Sequence, residues 1–290
     1  MQVSSTNSPL LSRFSPEEAV ELMYKAGFDA IDFSFHANAC FYNEESDSPA
    51  FKERLLNLRS MAEAKGMRFN QAHAPFASSF KDEEQTARRF RDIVRTLRSA
   101  SYLGIPNVVV HPMQHLNYAD RGVPEQLFQL NMDFYNRLLP YCEAYGVKVA
   151  VENMWQRPAG MKISHSTCSR PEEFIRYLDN LDRRWFTGCL DIGHACLVCE
   201  NPADFIRALG KDRLTTLHVH DVDGMDDLHT MPYYGIINWD EVMAALKEID
   251  YQGDFTFEVG KTIFSSLPNE LLPAALRLLA DTGHHLVGKV

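Results

Sequence analysis

Six residues able to bind divalent metal ions stand at or near the ends of short apolar runs in this chain: His73, His111, Glu152, Asp191, His218 and Glu258. Imidazole nitrogens and carboxylate oxygens are the common protein ligands for such cations. Beside apolar neighbours, a bare carboxylate or imidazole is costly to bury without a partner. One such residue is more often a hydrogen-bonded loop residue than a ligand. Six in register point instead to a metal centre. Within the set, Glu152, Asp191, His218 and Glu258 would close a ring of three carboxylates and one imidazole. Oxygen-rich ligation with one nitrogen favours Mn²⁺, with Mg²⁺, Co²⁺ or Zn²⁺ as alternatives.

Nearby residues extend the pattern. His194 follows Asp191 by three in LDIGH, one helical turn on, and is expected to face the same pocket. Asp227 and His229 form a D-x-H pair in a loop, where polar residues are common in any case. His220, two residues beyond His218, shares its strand face and is placed to support a ligand. Trp155, just past Glu152, is placed to wall a pocket. His36, Cys40 and Phe41 follow the second apolar run; that loop either covers the site or presents an apolar tip to another copy in a homo-oligomer. His284 and His285 read as surface residues of the last helix.

These side chains need elements to hold them. Eight β-branched or aromatic runs, at 2–6, 30–35, 68–73, 107–111, 147–153, 187–191, 215–221 and 255–260, read as strands. They alternate with helical patterns at 15–27, 51–66, 82–104, 124–146, 171–181, 201–210, 238–249 and 268–281. The first helix carries Ser15 as N-cap, Pro16 at its first position, Glu18 three residues on and Gly27 at its end. Strict alternation implies parallel strands with helical crossovers. Eight units in 290 residues predict an α/β fold, a single (β/α)₈ TIM barrel domain over 1–290, with the metal site at its C-terminal mouth. A doubly wound open sheet would normally carry a glycine-rich phosphate turn, and neither G-x-G-x-x-G nor a P-loop motif is present.

Composition narrows the partners. Lys and Arg total 29 and Asp and Glu 39, a net charge of −10. That balance argues against nucleic acid, whose nonspecific binding depends on clustered basic residues. The basic stretch at 87–99 lies on a helical pattern and reads as a solvated face. No apolar run reaches roughly 18 residues, so no membrane span is expected. MQVSSTNSPL lacks a secretory pattern, and a cytoplasmic location with six free thiols is expected. The lone C-x-x-C at Cys196 and Cys199 reads as two small apolar residues on one turn.

The ordered set HAPF (73–76), VVHP (109–112), VEN (151–153), LDIGH (190–194), HVHD (218–221), DLH (227–229) and FEV (257–259) resembles the xylose-isomerase-like barrel superfamily. The resemblance covers almost the whole chain. It includes sugar-phosphate isomerases and epimerases, ketose 3-epimerases and endonuclease IV. For the epimerase branch it implies one divalent metal on Glu152, Asp191, His218 and Glu258, with Glu152 and Glu258 moving the proton through an enediolate. His194, His73, His111, Trp155, Asp227 and His229 would then meet a carbohydrate substrate. For the endonuclease branch it implies three zincs on His73, His111, Glu152, Asp191, His194, His218, Asp227, His229 and Glu258. All nine types are present, so the charge of −10 is what favours a sugar isomerase or epimerase over a nuclease acting at abasic sites. A lyase or dehydratase on a sugar or inositol derivative is the remaining alternative. One departure is PYYG (232–235), where both branches commonly show a P-G-x-G-like turn; Tyr233 and Tyr234 are expected to change that loop and to reach toward the pocket.

Overall fold

The computed structural model describes residues 1–158, 162–260, 264 and 266–290. Eight strands pair in parallel: β1 Val3–Thr6, β2 Ala30–Ser34, β3 Arg68–His73, β4 Asn107–Val110, β5 Lys148–Glu152, β6 Phe186–Asp191, β7 Leu214–His218 and β8 Phe255–Phe257. From β1 to β7 each strand pairs with its successor, and β8 pairs with β1. The seam between β7 and β8 is closed just past β7, where Val219 N donates to Thr256 O at 2.9 Å and Glu258 N donates to Val219 O at 3.0 Å. The sheet is thus a closed (β/α)₈ barrel.

A helix follows every strand: α1 Pro16–Ala26, α2 Pro49–Glu63, α3 Glu83–Leu103, α4 Val123–Tyr145, α5 Pro171–Asp179, α6 Pro202–Leu209, α7 Trp239–Glu248 and α8 Leu272–Val287. The start of α1 is as expected from its residues. Ser15 and Glu18 form a reciprocal capping box, and Gly27 ends the helix at φ 94°. α8 begins four residues later than the 268–281 pattern predicts, because Pro273 lies in its first turn, and it runs on to Val287. His284 and His285 lie exposed on it. The basic stretch lies on α3, where Arg95 and Arg98 pair with Asp47 and Arg88 and Arg91 face solvent.

Strand periodicity explains why the chemistry gathers inside the barrel. Alternate residues point to opposite faces of a strand. Val108 and Val110 belong to the main core between strands and helices, whereas Val109, Ala150 and Cys189 form a separate small cluster within the barrel. Two residues on from each of these three come His111, Glu152 and Asp191, on the same inner face. Lower down, Ser4 donates to Asn70 at 2.8 Å and Asn70 to Thr256 at 3.0 Å, a buried polar layer spanning β1, β3 and β8.

Two loop expectations are corrected. Phe41 is 3% exposed and packs edge-on against Phe33 and Phe35, so the loop after β2 turns its aromatic residue inward and offers no apolar tip. Tyr233 and Tyr234 are 54% and 67% exposed and do not line the central cavity. The reason is Asp221, a buried carboxylate accepting from Val222 N, Tyr233 N, Ile237 N and Trp239 Nε1. It folds the chain back at Gly235, where a Cβ would lie 2.2 Å from Val222 O, and leaves the tyrosine rings outside.

Candidate metal centre

The six expected strand-end residues all meet at the C-terminal mouth. His73, Glu152, Asp191 and His218 are the last residues of β3, β5, β6 and β7, while His111 and Glu258 lie one residue past β4 and β8. Glu152, Asp191, His218 and Glu258 each offer a ligand atom within 4.8 Å of one another. His218 Nδ1 lies 2.9 Å from Glu152 Oε1 and 3.3 Å from Glu258 Oε2. His73 Nε2 and His111 Nε2 are 3.0 Å apart, and His111 Nε2 is 3.0 Å from Glu152 Oε2. His73 Nδ1 is held against Ala74 O at 2.7 Å.

A second group adjoins the first. His194, His220, Asp227 and His229 also offer ligand atoms within 4.8 Å of one another. Asp227 Oδ2 lies 3.1 Å from His229 Nε2 and 3.5 Å from His194 Nε2, and accepts from Trp155 Nε1 at 3.3 Å. His194 occupies a short helix, Ile192–Leu197, capped by Asp191, whose Oδ1 accepts from His194 N at 2.6 Å. The same carboxylate lies 3.0 Å from His220 Nε2, so Asp191 joins the two groups. Gly193 makes room for this: a Cβ there would lie 2.1 Å from His220 Cε1. Asp227, expected in a polar loop, is thus bound into the site, and Trp155 lines the cavity at the start of a short hairpin, Trp155–Gln156 with Ser164–His165.

The electrostatics are those of crowded acids and imidazoles. Burial works against the charge of Glu152, but His218 and His111 hold its carboxyl well below the usual carboxylate range. Burial likewise opposes charging His218, and Cys189, Glu258 and Glu152 together raise it well above a free imidazole. His229 is pushed up to about 9 against its burial, by Glu258 and Asp227. His36 goes the other way, to about 2, through burial and then the neighbouring histidines.

The residues fit a divalent cation on an independent ground. Glu152 Oε2 faces imidazole nitrogens, His111 Nε2 at 3.0 Å and His73 Nε2 at 3.7 Å, and Asp227 Oδ1 is buried with no hydrogen-bond partner among the described residues. Buried polar atoms are rarely left so. Three carboxylates and an imidazole converging within ligand distance are the donor set of a hard or borderline cation.

Two site residues escaped the sequence reading. Asp32, on the inner face of β2, is fully buried with Oδ2 3.8 Å from His218 Nε2. Burial, opposed by His218 and His73, pushes its carboxyl up to about 6. The signal was an acid within the otherwise apolar run AIDFSF. Phe76 forms part of the cavity wall beside His36, His73 and His111. The cavity measures about 790 Å³, and its lining includes Glu152, His194, Asp227, His229 and Glu258.

Comparison with known proteins agrees with this architecture. The chain is 29% identical over 216 residues to an uncharacterized protein of Methanocaldococcus jannaschii, covering 73% of this chain and 70% of the relative. The crystal structure of an IolI protein with a binding zinc atom superposes with a TM-score of 0.79 at 18% identity, covering 100% of this chain and 99% of that one. A D-psicose 3-epimerase solved in the presence of D-fructose gives 0.76 at 16% identity, covering 99% and 100%. A family model described as xylose isomerase-like TIM barrel matches residues 20–282, and the chain belongs to that family.

Proposed function

We propose that the chain is a divalent-metal-dependent sugar isomerase or epimerase that moves a proton beside a carbonyl with Glu152 and Glu258. The observation that carries this is the placement of the two glutamates. Both line the cavity, three strands apart around the barrel, with His218 Nδ1 within 3.3 Å of each. Acid–base work on a carbon-bound proton requires a carboxylate within hydrogen-bond reach of it and a second group to return the proton. Glu152, Asp191, His218 and Glu258 would hold the cation, with Mn²⁺ favoured. When bound, the cation supplies Lewis-acid stabilisation of negative charge on the substrate's carbonyl oxygen.

The protein's own groups do the rest. One glutamate removes the proton and the other delivers one, to the opposite face for epimerisation or to the adjacent carbon for isomerisation. His194 is fixed through Nδ1 against Asn153 O at 2.9 Å and is placed to bind a substrate hydroxyl. His73, His111, Asp227 and His229 would orient the sugar, and Trp155 with Phe76 walls it from water. The D-psicose 3-epimerase and its D-fructose agree with a carbohydrate substrate.

The test is solvent exchange. Incubation of the Mn²⁺-loaded protein in D₂O with a panel of ketoses should place deuterium at the carbon next to the carbonyl of one of them. Absence of deuterium across the panel removes the proton-transfer reading. A second reading, an abasic-site nuclease, is favoured by the second ligand group at His194, His220, Asp227 and His229, which shares no residue with the first. About three bound zincs together with cleavage of abasic DNA would establish it.

A further inference from the structure

One flank of the cavity takes no part in the proton chemistry. We propose that this flank is a second sugar-binding subsite, holding a neutral sugar unit joined by a glycosidic bond to the one that reacts. The proposal rests on the carbohydrate reading above. Gln114, His115 and Gln156 border the cavity there. They come from the loops after β4 and β5, and β4 lies on the far side of the barrel from β8 and Glu258.

Each of the three is tied to the protein at one polar end only. Ser166 Oγ, on a fully buried residue, donates to Gln114 Oε1 at 2.9 Å. His115 Nδ1 lies 2.6 Å from Ser79 Oγ, also buried. Gln156 Nε2 donates to His165 O at 3.0 Å. These bonds orient the far ends: Gln114 Nε2, His115 Nε2 and Gln156 Oε1 have no protein partner among the described residues. An amide donor, an amide acceptor and an imidazole nitrogen match sugar hydroxyls, which both donate and accept. None of the three carries a fixed charge, so neutral hydroxyls suit them better than a phosphate. Trp155, adjoining Gln156, adds a flat apolar surface with a polar edge. The cavity of about 790 Å³ lies in the upper part of the range, roughly 300–1,000 Å³, of pockets for drug-sized ligands.

The experiment is calorimetric titration of the Mn²⁺-loaded protein with D-fructose and with the ketose disaccharides turanose and lactulose. At least one disaccharide should bind about tenfold more tightly than D-fructose, the increment that one or two net hydrogen bonds supply. The double variant Gln114→Ala with His115→Ala should lose that preference and keep its affinity for D-fructose. Should it fail to fold, Gln156→Ala, on the hairpin outside the barrel, should lose part of the same preference. Equal affinities in the unaltered protein, or variants that weaken D-fructose as much as the disaccharide, overturn the subsite while leaving the carbohydrate reading in place. No binding of any of these sugars overturns both.

Discussion

Asp32 Oδ2 lies 3.8 Å from His218 Nε2, and neither Asp32 Oδ1 nor His218 Nε2 has a hydrogen-bond partner among the described residues. A carboxylate behind a histidine fixes which ring nitrogen carries the proton, and so which one is free to bind a cation. Asp32→Ala is therefore expected to weaken cation binding by about 10–100-fold, the usual effect of removing such a partner, read by competition with a chromogenic chelator. Unchanged affinity would take Asp32 out of that role. At the two glutamates the expectation is different. Glu152→Gln and Glu258→Gln keep shape but lose basicity, and each should lower turnover by about 10²-fold or more in steady-state assays. Retained turnover in either variant removes that residue from proton transfer.

Element by element, the sequence was most legible where a local signal and the tertiary context agreed. Ser15, Pro16, Glu18 and Gly27 delimit α1 as their types dictate, because caps act within one turn. The short helix Ile192–Leu197 left no periodic signal, being too brief, yet it is the element that brings His194 into the site. At the start of α5, burial pushes the Glu173 carboxyl up to about 7, with Tyr118 OH donating to it at 3.0 Å. The folded protein therefore holds this proton more tightly than the unfolded chain does. Its stabilisation is fully present below the unfolded value near 4.5 and is lost as pH rises through about 7. The loss is on the order of 3 kcal/mol. Glu173→Gln should flatten this dependence, making the variant the more stable protein at about pH 7.5 and not at about pH 4.5, as measured by urea unfolding. Parallel stability curves for the two proteins would contradict it.

For the whole molecule, cation binding and folding are linked, because the ligands come from β5, β6, β7 and β8 and converge only when the barrel closes. A cation present at about 100 times its Kd adds about 2.7 kcal/mol to the folded state. For a chain of this size that corresponds to a rise in Tm on the order of 4–5 °C. Calorimetry should show Tm falling on treatment with chelator and recovering with Mn²⁺; an unmoved Tm would mean that the closed barrel holds no cation preferentially. At the same scale, the charge of −10 was read from composition alone, and the structure places the main basic run on the outer helix α3 with Arg95 and Arg98 paired to Asp47. No helix among the described residues is long and apolar enough to cross a membrane.

By itself the sequence determined the alternation of strands and helices, and with it the eightfold barrel and the six residues at its strand ends. Those follow from periodicity and from capping, which are properties of neighbouring residues. Only the tertiary structure decided which side chains meet. Asp32 stands behind His218, 186 positions away, because β2 and β7 face one another across the barrel interior. Asp221, which ends the HVHD run, is the anchor that folds Tyr233 and Tyr234 away from the cavity. Gln114, His115 and Gln156 gave no signal in sequence, since a polar residue in a loop is unremarkable until a distant neighbour fixes one end of it at the border of a cavity. Contacts between residues far apart in the chain depend on closure of the whole sheet, and no local pattern encodes them.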